Sequence, residues 1–173
     1  MRKVIAAALL TLIYSCCGQE KVKQEAPDMN QVNRQLININ RELIAKESAR
    51  IDGWIKRNGH SAEKTGTGLR IIRKETHTGQ PRPKPGNLVT INYNVKLLDG
   101  TECYSTRGKK PEVFKVEMAQ VESGLHEGVQ YLHKGDKAIF VLPPHLAHGL
   151  IGDQEKIPPM SSIIYEIELI EIQ

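Results

Sequence analysis

Hydrophobic residues recur at three- and four-residue steps over residues 28–60, which predicts one amphipathic helix or two. Asp28 is a suitable N-cap, and the Asn58-Gly59 pair is a suitable end. The apolar face has to be buried, and three partners are open: the domain downstream, a second copy of the chain, or another protein. This face comprises Met29, Val32, Leu36, Ile39, Leu43, Ile51, Trp54 and Ile55.

From residue 66 onward the hydrophobic pattern changes to the alternation of half-buried strands. Helical spacing returns only over Val121 to His133, with Gly135 as its predicted end. The pattern predicts an α+β domain at 66–173, an antiparallel β-sheet wrapped on one short helix. A loop of eighteen residues at 143–160 is expected to be functional. The predicted strands are 69–75, 88–97, 102–104, 114–116, 137–142 and 163–172.

The N-terminus has the arrangement of an export signal at residues 1–15. Arg2 and Lys3 precede an apolar run of eleven residues from Val4 to Tyr14. A run of that length is too short to span a bilayer, which needs about 20 apolar residues, and it has the size of a secretory signal core.

The stretch Ile13-Tyr14-Ser15-Cys16 resembles a bacterial lipobox. The resemblance implies that Cys16 is lipidated, which would anchor the chain in the membrane without a spanning helix. An ordinary signal peptide with incidental cysteines is the alternative. The polar residues 16–27 then form a tether. The implied location is the bacterial cell envelope, in the inner or outer membrane and facing the periplasm.

Composition excludes several other function classes. The formal net charge is +4, and no run of five basic residues occurs, so nucleic-acid binding has little support. Three cysteines, two of them adjacent, do not predict a disulfide framework. His145 and His148 are three apart, but no Asp, Glu or Cys lies within three residues of them. We therefore expect neither a metal site nor a cofactor.

A succession of short motifs occurs in the second half of the chain: Gly86–Tyr93, Leu98–Glu102, Val121–Val129, Lys134–Ala138, Pro143–Gly149, Ile157–Pro159 and Ile163–Leu169. In this order and spacing, the motifs resemble the FKBP-type peptidyl-prolyl cis-trans isomerases, over about residues 66–173. Together with the helix and the lipobox, they look similar to macrophage-infectivity-potentiator-like and gliding-motility-associated FKBP lipoproteins. The implied chemistry is rotation about X–Pro amides in an apolar pocket, without a nucleophile.

The resemblance implies roles for ten residues. Those implied in catalysis are Tyr93, Ile157, Tyr165 and His148, and those implied in substrate binding are Val121, Leu125, Cys103, Tyr104, Glu122 and Ala147. The family's oxygen-contacting backbone N–H is placed at Ile157. His148 stands where the family usually has a tyrosine donor.

The predicted pocket departs from the family pattern. Leu125 replaces an aromatic floor, Cys103 and Tyr104 replace a Phe-Asp pair, and Glu122 replaces an aliphatic residue with an exposed N–H. At about 1 kcal/mol each, these changes would reduce activity. The expectation is an isomerase whose activity these changes would weaken and that assists the folding of proline-containing exported clients. The alternatives are a non-catalytic peptide-binding chaperone or envelope adaptor, and a homodimer through residues 28–58 is compatible with each.

Overall fold

A single long helix opens the described part of the chain, which in this computed structural model is residues 28–173. Helix α1 runs from Met29 to Arg57, and the side chain of Asp28 accepts a hydrogen bond from the Asn30 N–H at 2.9 Å. The helix ends at Asn58, followed by Gly59 in the left-handed region at φ 66°. The two predicted helix ends are confirmed. The export signal, Cys16 and the tether lie outside the described residues.

Seven antiparallel strands form one sheet, and the predicted α+β fold is confirmed. The strands follow the order β1-β2-β6-β7-β3-β4, and β5 also pairs with β3. The two-residue β1 was not predicted, and β5 begins two residues before the predicted strand. The bounds are β1 Glu63–Lys64, β2 Arg70–Glu75, β3 Leu88–Leu97, β4 Glu102–Ser105, β5 Glu112–Lys115, β6 Lys137–Leu142 and β7 Ile163–Ile172.

The second helix is shorter than its sequence pattern predicts. Helix α2 covers only Ser123–Val129, and turns continue the chain to Asp136. The N–H of Leu132 donates to the carbonyl of Val129, so a tight turn, not a further helical turn, brings Leu132 into the core, where it is fully buried. The prediction of a helix to residue 133 was wrong, because a buried residue after a tight turn preserves the same apolar spacing.

Two glycines allow α2 to lie close to the sheet. A Cβ on Gly124 would come within 2.6 Å of Leu142 Cδ2, and one on Gly128 would come within 2.5 Å of Phe140 Cε2. No side chain fits in that space, so the helix backbone packs directly on β6. This contact forms the main hydrophobic core, on the face of the sheet that we call the inner face.

Helix α1 packs on the opposite, outer face, but only through its last turns. Its buried residues Ile51 and Ile55 contact a small cluster on the sheet. The buried guanidinium of Arg70 on β2 donates to Asp52 Oδ1 at 2.8 Å and to Ser48 Oγ at 2.7 Å. The sheet side of this outer cluster consists of Ile72, Ile139, Val141 and Ile164.

The rest of the apolar face of α1 is not covered within the described chain. Leu36 and Ile39 are each 53% exposed, and Leu43 is 42% exposed. Of the three partners open to this face, the downstream domain therefore accounts for the C-terminal part only. Within residues 28–173, no helix combines the length and the apolar character needed to cross a membrane.

Candidate functional site

A cleft of about 630 Å³ opens on the inner face of the sheet. It lies between β3, β7 and the start of α2, and the chain after β6 forms its far side. Because side chains alternate along strands, Tyr93 and Val95 of β3 and Tyr165 of β7 face the same side. The lining consists of Tyr93, Val95, Tyr104, Glu112, Gln120, Val121, Glu122, Leu125, Ala147, His148, Asp153, Glu155 and Tyr165.

Two tyrosines form an aromatic wall of the cleft. The rings of Tyr93 and Tyr165 lie 5.6 Å apart, tilted by 56°. Tyr165 is only 5% exposed, and its hydroxyl donates to Glu122 Oε1 at 2.9 Å. Burial and then the negative charge of Glu122 raise the pKa of Tyr165 well above its usual value. Tyr165 is therefore a neutral hydrogen-bond donor at physiological pH.

Glu122 links this wall to the chain that follows β6. Its Oε1 also lies 2.9 Å from Nε2 of His148, so one oxygen contacts both the phenol and the imidazole. Glu122 is the N-cap residue of α2, but its side chain makes no capping bond. No hydrogen bond among residues 28–173 uses its backbone N–H. That N–H is thus an available donor beside the cleft.

Asp153 organises the loop at the rim. Its Oδ1 accepts from the backbone N–H groups of Glu155, Lys156 and Ile157, the last at 2.7 Å. Its Oδ2 accepts from the hydroxyl of Tyr104. Burial alone would raise the pKa of Asp153, but the bonds from Tyr104 and from the three N–H groups lower it to about 2. The carboxylate is therefore charged and holds the loop against β4.

The structure brings together eight of the ten residues that the resemblance implied. Cys103 does not line the cleft: it is buried in the core, with Sγ 3.8 Å from the carbonyl oxygens of Thr101 and Lys156. Ile157 is likewise buried, and its N–H donates to Asp153. The placement of an oxygen-contacting N–H at Ile157 needs correction, because a carboxylate already occupies that donor.

Three acidic residues of the cleft were not predicted: Glu112, Asp153 and Glu155. Asp153 and Tyr104 are 49 residues apart, so no local pattern could pair them. The one local signal was the aspartate at the start of a turn, whose side chain bonds the N–H groups that follow it.

The two loop histidines do not converge on a common point. His145 Nε2 lies 2.9 Å from the carbonyl oxygen of Thr67, whereas His148 contacts Glu122. Among the residues that the structure describes, no three His, Cys, Asp or Glu side chains are grouped so as to hold a metal ion.

Comparison with known proteins shows that the sheet domain matches a family. Residues 79–170 match the family described as FKBP-type peptidyl-prolyl cis-trans isomerase. The chain is similar to peptidyl-prolyl cis-trans isomerase Fkbp12 of Drosophila melanogaster, with 33% identity over 107 residues, or 61% of this chain and 99% of that protein.

Two bacterial relatives extend the similarity toward the N-terminus. FKBP-type peptidyl-prolyl cis-trans isomerase FkpA of Escherichia coli K12 is 31% identical over 158 residues, or 90% of this chain and 51% of that protein. A probable FkpA of Neisseria meningitidis is 32% identical over 132 residues, or 76% of this chain. The chain spans about half the length of these bacterial proteins or less, 51% and 44%.

Proposed function

The chain belongs to the FKBP-type peptidyl-prolyl cis-trans isomerase family, and we propose that its cleft isomerises X–Pro bonds of exported proteins at the cell envelope. The observation that carries the proposal is the convergence of Tyr93, Val121, Leu125 and Tyr165 on one cavity. These side chains leave a partly apolar hollow in which a prolyl ring can insert.

The apolar walls favour the twisted amide over the planar one. Rotation about a planar X–Pro amide is opposed by a barrier of about 18–20 kcal/mol, which arises from the partial double-bond character of the C–N bond. The same resonance places negative charge on the amide oxygen, and a poorly solvating wall destabilises that charge separation. Twisting removes it, so the pocket binds the transition state better than the ground state.

Hydrogen-bond donors complete the proposed mechanism. The backbone N–H of Glu122 has no hydrogen-bond partner in the part of the chain that the structure describes, and it is our candidate for contact with a substrate oxygen. His148 contacts Glu122 through Nε2, so only a ring that carries a second proton can also donate through Nδ1. Leu125 supplies no aromatic floor. We therefore propose that this cleft isomerises X–Pro bonds more slowly than a site with an aromatic floor.

Proline-limited refolding of a model protein tests the catalytic proposal directly. Residues 28–173 should accelerate the slow phase in proportion to their concentration. Tyr165→Ala, which removes a wall, should reduce the acceleration about tenfold or more. Tyr165→Phe keeps the ring and should lose less. If micromolar protein left the rate of the slow phase unchanged, the catalytic proposal would be wrong.

A second proposed function is peptide binding without catalysis, as a chaperone or an adaptor of an envelope complex. It is favoured by an apolar groove of about 430 Å³ between α1 and the loops near Gly68 and Pro144. Exposed Leu43 and Ile44 of α1 lie along this groove. Suppression of aggregation that is lost in Leu43→Ser, by protein that shows no isomerisation, would select this function.

The same exposed face of α1 is available for a homodimer through residues 28–58. Sedimentation of residues 28–173 should show a dimer that Leu36→Ser weakens, because Leu36 is 53% exposed in one copy. The exposed polar change Gln35→Ser is the matched control. A monomer at all concentrations would exclude this assembly.

We further propose that Cys16 anchors the protein to a membrane, with 16–27 as a tether that lets the domain reach clients in the periplasm. Incorporation of a labelled fatty acid should be lost in Cys16→Ser, and the protein should move to the soluble fraction. Cys17→Ser is the control and should retain the label. Equal labelling of both variants would point to a different attachment.

A further inference from the structure

Among residues 28–173, the lining of the cleft includes several carboxylates and no lysine or arginine. Four acidic residues face it: Glu112 from β5, Glu122 at the start of α2, and Asp153 and Glu155 from the rim loop. Within the described part of the chain, its one basic lining residue is His148, which is paired with Glu122. A partly apolar prolyl pocket is thus surrounded by negative charge.

Two of the four carboxylates are committed to the structure. Glu122 accepts from Tyr165 and contacts His148, while Asp153 holds the rim loop. Glu112 and Glu155 are exposed, and neither takes part in an ion pair among residues 28–173. Glu155 has one weak contact, 3.4 Å from the Tyr104 hydroxyl. Both carboxylates are thus exposed to a cation that approaches from solution.

The carboxylates affect the ionisation of Tyr93 inside the cleft. Burial, followed by interaction with Glu112 and then Glu122, raises the pKa of Tyr93 to about 12. Only the part of this shift that comes from Glu112 and Glu122 reflects negative charge at the cleft, and that charge would favour a bound cation.

One lysine lies beside the cleft. Lys156 Nζ donates to the carbonyl of Cys103 at 2.8 Å and lies 5.1 Å from the centre of the ring of Tyr104, which lines the cleft. Arg107 and Lys109 line a different cavity, together with Lys74 and Lys137. The basic side chains therefore lie beside the cleft or outside it.

We propose that this cleft selects X–Pro segments in which a lysine or arginine lies next to the proline. The proposal rests on the proposed function, because it takes the prolyl ring to occupy the hollow between Tyr93 and Tyr165. It also takes the residue before the proline to lie near Glu112 and Glu155, both of which line the cleft. A basic side chain there gains Coulomb energy, and an acidic one is repelled.

Three matched peptides test the selection: acetyl-Ala-Xaa-Pro-Phe-amide with Xaa as Lys, Gln or Glu. Exchange spectroscopy measures isomerisation by the full chain in mild detergent. We expect kcat/KM in the order Lys, Gln, Glu, with about tenfold between the extremes at low salt. At about 0.5 M salt the difference should largely disappear, because the screening length falls below 10 Å. Equal rates, or the reverse order, would overturn the selection and leave the isomerase intact.

Variants identify the carboxylates responsible. Glu112→Gln and Glu155→Gln should each reduce the Lys-to-Glu ratio by roughly twofold to threefold. Glu42→Gln, on the exposed surface of α1, changes the net charge equally and should leave the ratio unchanged. An equal effect of all three variants would mean that overall charge, not the rim, sets the preference.

Binding measurements separate this inference from the catalytic proposal. If no peptide is isomerised faster, the proposed isomerase function fails, and the same peptides are titrated to obtain Kd. About tenfold tighter binding of the Lys peptide than of the Glu peptide supports charge selection in the cleft. Indistinguishable Kd values overturn it.

Discussion

The two faces of the sheet are buried by different means. On the inner face, α2 approaches β6 so closely that only glycine fits at positions 124 and 128, and a continuous core fills the space. On the outer face, the last turns of α1 are held by a cluster of six buried residues, two from α1 and four from the sheet, and by the ion pair of Arg70 with Asp52. The inner face is thus covered by α2, a helix of the sheet domain, whereas the outer face is covered by the separate helix α1.

The difference explains why the cleft lies on the inner face. A binding site needs walls held rigidly, and Tyr165, Val121 and Leu125 belong to or pack on the large core. The outer cluster contributes no residue to the cleft. We therefore expect changes in the docking of α1 on the outer face to leave the chemistry of the cleft on the inner face largely intact.

The largest effect is expected on the inner face at Phe140, which is fully buried against α2. Phe140→Ala should lower the free energy of unfolding by about 3–5 kcal/mol, because it leaves a cavity. The adjacent Ile139 faces the outer cluster, and Ile139→Ala should lower it by only about 2 kcal/mol, since α1 can shift. Urea denaturation measures both. Equal losses would contradict the difference between the faces.

An intermediate effect is expected at the ion pair on the outer face. Asp52→Ala leaves the guanidinium of Arg70, 3% exposed, without its carboxylate, and should destabilise the docked helix by about 2 kcal/mol. Arg70→Met should be milder, because it leaves only Asp52, which is 55% exposed and can be hydrated.

Amide hydrogen exchange in the last turns of α1 should rise in Asp52→Ala, while the exchange of β3 and β7 and the isomerisation rate stay constant. A fall in activity would show that the outer face and the cleft are coupled.

The smallest effect is expected at Asp153, which ties the rim loop to the inner face. Asp153→Asn keeps the shape but removes the charge and should lower the free energy of unfolding by about 1 kcal/mol at pH 7. Its folded-state pKa of about 2 lies below the usual 3.8, so the charge stabilises the fold above about pH 4. That stabilisation is lost as the pH falls from about 4 to 2.

The difference in stability between the original protein and Asp153→Asn should accordingly shrink across that window. A difference that stays constant from pH 7 to pH 2 would show that the carboxylate is not held as the structure indicates.

Local pattern was enough to predict most elements, because the period of apolar residues reports which side of a helix or strand is buried. It went wrong at α2, where Leu132 reaches the core from a turn and imitates a further helical turn. Similarly, the motif order led to the tyrosines of the cleft. It misplaced Ile157 as a substrate donor, because motif order does not show that the carboxylate of Asp153, four residues earlier in the same loop, takes its N–H.

The order of residues along the chain was enough to predict the α+β class, the two long strands at 88–97 and 163–172, the helix ends at Asp28 and Asn58, and the membership of a prolyl isomerase family. These follow from residues close together in the chain or from a recurring motif order. The folded arrangement was needed to show which part of α1 is covered, that Tyr104 pairs with Asp153, and that carboxylates from three separate segments line one cleft. Such contacts join residues tens of positions apart, and they depend on how the packed core brings those segments together.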